Sequence, residues 1–355
     1  MIKKIYFHGS LYVLLLFILI NKDWKKALFI FSNNTVSESV IRFFQKQGIK
    51  YWILADISKG NIFKQITNRL KLYREILKIK KLKKVTYYGS ENADIAKFFV
   101  GRKFIPIEDG TVNYVGLDRI KKFAEEGRFM SCPGCGYLPY GYDEAIKSVY
   151  LTSMFEIPIE LKDKSKIVEV INLWNNKTEN EKTEILKMFG VGCEILKKYN
   201  HYENVLLTQP FESVGVVTEK QKIKIYKKIL SHYNKSNTLI KPHPRETTNY
   251  LVNFPNCGVV KEKFPFELMM LVCSKVKKVI TVSSTGAFSL GNNVSIDLYD
   301  ICGKFRETVN TGCNIDKVLN VVVGKNIPYK QKSFSIQKFV LMIEGYIAYI
   351  MVDRK

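Results

Sequence analysis

The chain has 355 residues, 46% hydrophobic and 13% aromatic, with 56 Lys and Arg against 33 Asp and Glu for a formal net charge of +23. That length suits two domains rather than one core, and the apolar content excludes a disordered chain. The charge favours anionic partners such as phosphates or acidic lipid surfaces, but no zinc-finger spacing or aromatic RNA-binding signature accompanies it, so nucleic acid is not the expected partner. Of seven cysteines only Cys132 and Cys135 are close, in Cys-Pro-Gly-Cys-Gly. No second pair at metal spacing follows, so they read as structural thiols in a turn, and the odd count points to a reducing, cytoplasmic setting.

In chain order, Ile5–Phe7 is a first strand, His8-Gly9-Ser10 a turn, and Ser10 the N-cap of a buried helix over the apolar run Leu11–Ile20. That run is about half the ~20 residues a membrane span needs, which favours a core helix over an anchor. Short apolar runs at Ala27–Phe31, Tyr51–Leu54, Val85–Tyr88 and Phe104–Ile107 are buried parallel strands. Helices are expected between them near Glu38–Gln47, Asn61–Lys80 and Asn92–Val100. This alternation predicts a doubly wound sheet.

From about 112 to 200 the rhythm lapses into a helical insert and connection that includes a charged helix near Glu179–Phe189. It resumes with strands at Val205–Thr208, Thr238–Lys241, Val279–Val282 and Val294–Leu298, and helices at Glu219–Tyr233, Pro265–Val272 and from Thr285. The expected organisation is an N-terminal Rossmann-like domain over 1–200, a second over 201–333, and a C-terminal helix over 334–355 packing back on them. Lys64–Lys84 holds nine basic residues and one acidic residue, Glu75. It reads either as a solvated helix face or as a contact for an anionic membrane or a phosphorylated glycolipid.

Three segments at strand ends can carry chemistry, because ligands of open α/β sheets bind beyond the carboxyl ends of the strands. In Glu108-Asp109-Gly110 the glycine permits a sharp turn that leaves Asp109 at a strand end, where a carboxylate can take a proton from a sugar hydroxyl. In Lys241-Pro242-His243-Pro244-Arg245 two prolines hold the backbone extended around one of only four histidines. An imidazolium there, between two cations, suits a phosphate as its charge develops. Ser283-Ser284-Thr285-Gly286 offers hydroxyls and amides at the start of an expected helix, a phosphate-site arrangement. Glu267, after Pro265, is placed to accept from two ribose hydroxyls. No Walker loop, GxGxxG or DxD motif is present, which argues for a donor with one phosphate and for a reaction without metal or cofactor.

The order Glu-Asp-Gly-Thr, Lys-Pro-His-Pro-Arg and Ser-Ser-Thr-Gly-Ala resembles the bacterial lipooligosaccharide sialyltransferases of glycosyltransferase family 52. The spacings of 24 residues from His243 to Glu267 and 40 to Ser283 also suit that family. The resemblance implies an α/β fold of the GT-B type, two doubly wound Rossmann-like domains facing a central cleft. It implies inverting, metal-independent transfer of sialic acid from CMP-sialic acid to a galactose-terminated, lipid-linked or capsular glycan, by a peripheral cytoplasmic protein that forms homodimers in the family. Asp109 would be the general base. His243 would contact the CMP phosphate together with Ser283, Ser284 and Thr285, flanked by Lys241 and Arg245, and Glu267 would hold the ribose. A second acidic position considered as the base in that family corresponds to Thr208-Gln209-Pro210-Phe211-Glu212, with Glu212 one place displaced from the usual Asp, so the base is open between Asp109 and Glu212. The competing readings are another donor, CMP-Kdo or a nucleoside diphosphate sugar, and a non-catalytic protein binding anionic glycan or membrane.

Overall fold

The structure, a computed structural model, describes residues 2–32, 36–54, 62–91, 96–99, 101–125, 137–213, 215–289 and 294–309, with Ile315 and Val318. The cysteine pair at 132 and 135 and the C-terminal stretch 334–355 lie outside these residues. The chain divides into two compact units, Met1–Thr152 with Ile157–Leu173, and Ser153–Glu156 with Trp174–Lys330. The units part near residue 173, whereas the sequence placed the boundary at 200. The helix Cys193–Tyr199 accounts for the difference, because its partners lie in the second unit: the Asn200 side chain accepts from the Lys275 amide at 3.1 Å and Tyr199 donates to Glu262 at 2.7 Å.

In the first unit, strands β1 (Lys4–Phe7), β2 (Leu28–Ser32), β3 (Tyr51–Leu54), β4 (Thr86–Gly89) and β5 (Phe104–Pro106) form a wholly parallel sheet of order β3-β2-β1-β4-β5. Helix α1 (Leu11–Ile20) starts where expected, with the Ser10 hydroxyl accepting from the Val13 amide, and Val13–Leu19 are all buried. A helix apolar on every side is stable only when covered on every side, and α1 is a core helix. Helix α2 (Glu38–Gln47) closes on Gly48 at φ 64°, and helix α3 (Ile62–Lys80) sets Leu72, Ile76 and Ile79 against Ile5, Phe7, Tyr87 and Phe99. The helix expected over Asn92–Val100 is, among the described residues, a single 3₁₀ turn at Ala96–Phe99. The insert is not purely helical. It holds a two-stranded parallel sheet, β6 (Val149–Leu151) and β7 (Ser165–Ile167), joined to the end of β5 by the Ile107–Tyr150 bridge.

The second unit carries β8 (Asn204–Leu207), β9 (Thr238–Lys241), β10 (Gly258–Val259), β11 (Lys278–Thr281), β12 (Ser295–Tyr299) and β13 (Phe305–Val309), in the order β10-β9-β8-β11-β12-β13. All pairs are parallel except β12–β13. Thr178 with Glu181 and Thr218 with Gln221 form capping boxes that start the helices Glu179–Met188 and Glu219–Leu230. The latter buries Tyr226, Ile229 and Leu230 against Leu206, Ile240 and Ile280. Among the described residues no helix is long and apolar enough to cross a membrane.

Candidate active site

In the first sheet the strand order reverses between β1 and β4, and a crevice at such a switch point is the ligand position of a doubly wound fold. The turns leaving β1, β4 and β5 meet there. Asp109, half-buried, takes the Ser90 hydroxyl on Oδ2 at 2.6 Å and the Ser10 hydroxyl on Oδ1 at 3.3 Å. Its amide donates to Asn113 Oδ1 at 3.0 Å. Gly9 is obligatory by space, since a Cβ there would lie 2.3 Å from the Ser90 Cβ. Gly110 sits at φ 108°, ψ −154°, a region open essentially to glycine alone, and so turns the chain after Asp109.

The neighbouring Glu108 has the opposite character. It is fully buried and accepts from Tyr12 at 2.5 Å, from Tyr114, and from both the amide (2.7 Å) and the hydroxyl (2.8 Å) of Thr152. Burial pushes its carboxyl up, and those donors oppose the push. Glu108 therefore anchors α1, β5 and the end of β6, while Asp109 keeps an accessible face. One residue beyond Ser90, Glu91 is buried with Oε1 on the Tyr137 hydroxyl at 2.6 Å, and burial raises its carboxyl to about 8.

In the second sheet the reversal lies between β8 and β11. Prolines and a buried carboxylate hold the segment after β9. Glu246 Oε2 accepts the His243 amide at 2.7 Å and the Thr208 hydroxyl, and Oε1 accepts Tyr250 at 2.7 Å and Lys222 Nζ at 3.1 Å. Lys222 is itself wholly buried and also meets Glu212 at 2.7 Å and Glu219 at 3.0 Å. Burial alone would lower its ammonium pKa, and the three carboxylates more than reverse that, leaving it raised. Glu212, the rival base, is thus one arm of a buried ion-pair cluster.

His243 Nδ1 accepts the Arg245 amide at 3.2 Å, which leaves the proton on Nε2. Burial, reinforced by Arg245 and Lys241, lowers the ring to about 4. This corrects the expected imidazolium: at neutral pH the ring is neutral, a directed N–H donor. Arg245 is exposed. Lys241 is buried, with Nζ 4.6 Å from the centre of the Phe264 ring, and burial lowers it to about 8 against the pull of Glu267 and Glu262. No ion pair joins it among the described residues, so it is a desolvated cation suited to an incoming anion.

Glu267, in the first turn of the short helix Phe266–Met270, is buried and accepts the Ser289 hydroxyl at 2.9 Å. A Cβ on Gly286 would stand 3.4 Å from its Oε1, so the segment after β11 lies beside this carboxylate. The expected helix from Thr285 is only a 3₁₀ turn, Thr285–Phe288. It lacks the aligned peptide dipoles of a longer helix. Instead the buried Thr281 hydroxyl accepts the Ser283 amide at 3.3 Å and the Ser284 amide at 2.8 Å, fixing Ser283 at φ 131°. Ser284 makes no capping hydrogen bond with its side chain. A hydroxyl pair held in a costly backbone geometry is a preorganised polar feature.

Asp109 thus belongs to the first unit, and Lys241, His243, Arg245, Glu267, Ser283, Ser284, Thr285 and Glu212 to the second. Glu246, Thr281 and Ser90 complete the geometry and were not singled out from the sequence, while Ser10 was read only as a helix cap and Thr208 only as the start of the Glu212 segment. Among the described residues no group of three or more His, Cys, Asp or Glu side chains is arranged to hold a metal ion.

Two α/β units, one with a wholly parallel sheet and one parallel but for β13, each with polar residues at strand carboxyl ends, have the architecture of the GT-B class of glycosyltransferase folds. The chain belongs to glycosyltransferase family 52, whose model matches residues 24–302. It is 33% identical over 291 residues, 81% of this chain and 90% of the other, to an uncharacterized protein of Haemophilus influenzae strain Rd. Among solved structures it is similar to the GT-B domain of a sialyltransferase from Photobacterium damselae, at 13% identity and TM-score 0.50, over 82% of this chain and 89% of that one. A UDP-GlcNAc 2-epimerase from Methanocaldococcus jannaschii aligns at 15% identity and TM-score 0.49, over 91% of this chain and 98% of that one.

Proposed function

We propose that this glycosyltransferase moves sialic acid from CMP-sialic acid to a hydroxyl of a galactose-terminated surface glycan, with inversion and without a metal. The observation that carries the reading is that Lys241, buried and without an ion pair among the described residues, and the neutral, rigidly framed His243 follow one strand end, while Ser283 and Ser284 follow another strand of the same sheet. They are the kinds of group that would receive a phosphate, on a chain of family 52. In this scheme Asp109 takes the proton from the acceptor hydroxyl, whose oxygen attacks the anomeric carbon as the bond to the phosphate oxygen breaks. His243 Nε2–H donates to that departing oxygen, Lys241 and Arg245 balance its charge, the Ser283, Ser284 and Thr285 segment orients the phosphate, and Glu267 holds the ribose. The transition state has the oxocarbenium character of glycosyl transfer generally.

Asp109 is the better base than Glu212. Two neutral hydroxyls hold Asp109 at a sheet end, whereas Glu212 is already paired with Lys222. The test is incubation with CMP-sialic acid and a panel of galactose-terminated acceptors, read by mass spectrometry, alongside calorimetry with CMP, UDP and ADP. Sialylated product, preference for CMP, and a loss of about 100-fold in Asp109→Asn and in His243→Ala are expected. Preferential binding of UDP or ADP would reassign the donor. Absence of nucleotide release from any donor would overturn catalysis.

A further inference from the structure

Helix α3 has two apolar faces. Leu72, Ile76 and Ile79 are buried in the first core. Phe63, Ile66, Leu70 and Leu77 are exposed, Phe63 at 81% and Leu70 at 60%. At ~100° per residue these four fall in one narrow stripe on the side away from the core, about 21 Å long. Exposed single apolar residues are unremarkable, but a contiguous outward stripe is a contact surface. Lys71, Arg74 and Lys78 run along one flank of it, all exposed. Glu75, the one acidic residue of α3, is spent on Lys78 at 2.8 Å.

At the carboxyl end of the helix opens a cavity of about 490 Å³ lined by Lys80, Lys83, Lys84, Arg102 and Lys103, with no carboxylate in its wall. Arg102 donates to the Lys80 carbonyl at 2.9 Å, so this basic pocket is tied to the end of α3.

We propose that the outer face of α3 and this pocket dock the first unit on an anionic phospholipid bilayer. The helix lies in the interfacial plane, the stripe enters the acyl boundary, and the pocket takes a headgroup phosphate. Charge complementarity selects this occupant. A second copy would bring the same cations face to face in a chain of net charge +23. A nucleic acid would meet the cations and leave the apolar stripe in water.

The inference does not depend on the donor or acceptor. The full chain is sedimented with vesicles of phosphatidylcholine alone and of phosphatidylcholine mixed with phosphatidylglycerol. Binding is expected to the mixed vesicles only, and to fall as salt rises. Lys71→Glu/Arg74→Glu is expected to weaken partitioning at least tenfold, since each cation near an anionic surface contributes about fivefold. Phe63→Ser/Leu70→Ser is expected to weaken it by a similar factor, and transfer to a soluble acceptor stays unchanged in both. Equal binding to neutral vesicles, no binding at all, or wild-type binding in both double variants overturns the proposal. So does a wild-type dimer in sedimentation equilibrium that both variants dissolve, which would make a second copy the occupant.

Discussion

Glu246→Ala tests whether the segment bearing His243 is held by a buried charge network. Glu246 and Lys222 side chains are both at 0% exposure and 3.1 Å apart. Truncation leaves Lys222 with Glu212 and Glu219, removes the Glu246 acceptor of the Thr208 and Tyr250 hydroxyls, and leaves the His243 amide only the longer bond to the Thr208 hydroxyl oxygen at 3.3 Å. Removing one partner of a buried ion pair costs about 3–5 kcal/mol, and each orphaned buried donor about 1–3 kcal/mol. Because two carboxylates still face Lys222 and the orphaned groups relax together, we place the total at about 3–5 kcal/mol rather than at the sum. Amide hydrogen exchange of β8 and β9 reads this locally, without assuming that both units unfold in one step. The expected acceleration is about 100-fold to several thousandfold, at tenfold per 1.4 kcal/mol. Glu219→Ala, which removes a carboxylate 42% exposed and not bonded to His243, should cost below about 1 kcal/mol. Exchange within threefold of wild type in Glu246→Ala, on the order of 0.6 kcal/mol, or equal effects of the two substitutions, would refute the reasoning.

Three further outcomes follow from the same geometry. The His243 ring should titrate near pH 4 by NMR in the free protein and move up when CMP binds, and a free-protein titration at the ordinary value would show that burial does not control it. The sign for stability is definite: the unfolded chain takes this proton first, so His243 withdraws stability as pH falls from about 6.5 towards 4. Glu91 works in the other direction. Its native carboxyl holds a proton up to about 8 while the unfolded one releases it near 4.5, so stability should fall by about 3–5 kcal/mol across that window and Glu91→Gln should flatten the decline in urea-denaturation midpoints. Ser283→Gly should relieve the φ 131° geometry, raising stability by about 1 kcal/mol in thermal unfolding and weakening CMP binding, whereas Ser283→Ala should give no such gain.

Local signals sufficed for most of the fold. β3, α2 and β9 fall on the expected residues; β9 is buried throughout, as a continuous apolar run in a parallel sheet implies, whereas β3, expected to be buried, lies at the sheet edge with Ile53 45% exposed. Edge strand β13 left no such signal: Phe305-Arg306-Glu307-Thr308-Val309 is mostly exposed and charged, and it exists because β12 offers it a ladder. The motif segments at strand ends were legible from glycine and proline chemistry. Their supports were not. Glu246 follows His243 by three residues and precedes Tyr250 by four, yet its importance comes also from Lys222 and Thr208, which only folding brings to it from 24 and 38 residues away. Ser10 and Ser90 likewise reach Asp109 from sequence distances of 99 and 19.

The all-apolar helix α1 has a consequence for biosynthesis. Its cover is supplied by β1, β2 and β4, and the last of these is translated well after Ile20. At ordinary elongation rates of 5–20 residues per second, the nascent segment Leu11–Ile20 waits roughly 3–13 s before β4, the last of its neighbours, exists. During that interval it presents to ribosome-associated factors the same short greasy stretch that export machineries select. A slow codon or a folding defect anywhere before Gly89 would therefore show itself as misrouting or chaperone retention before it showed itself as lost catalysis.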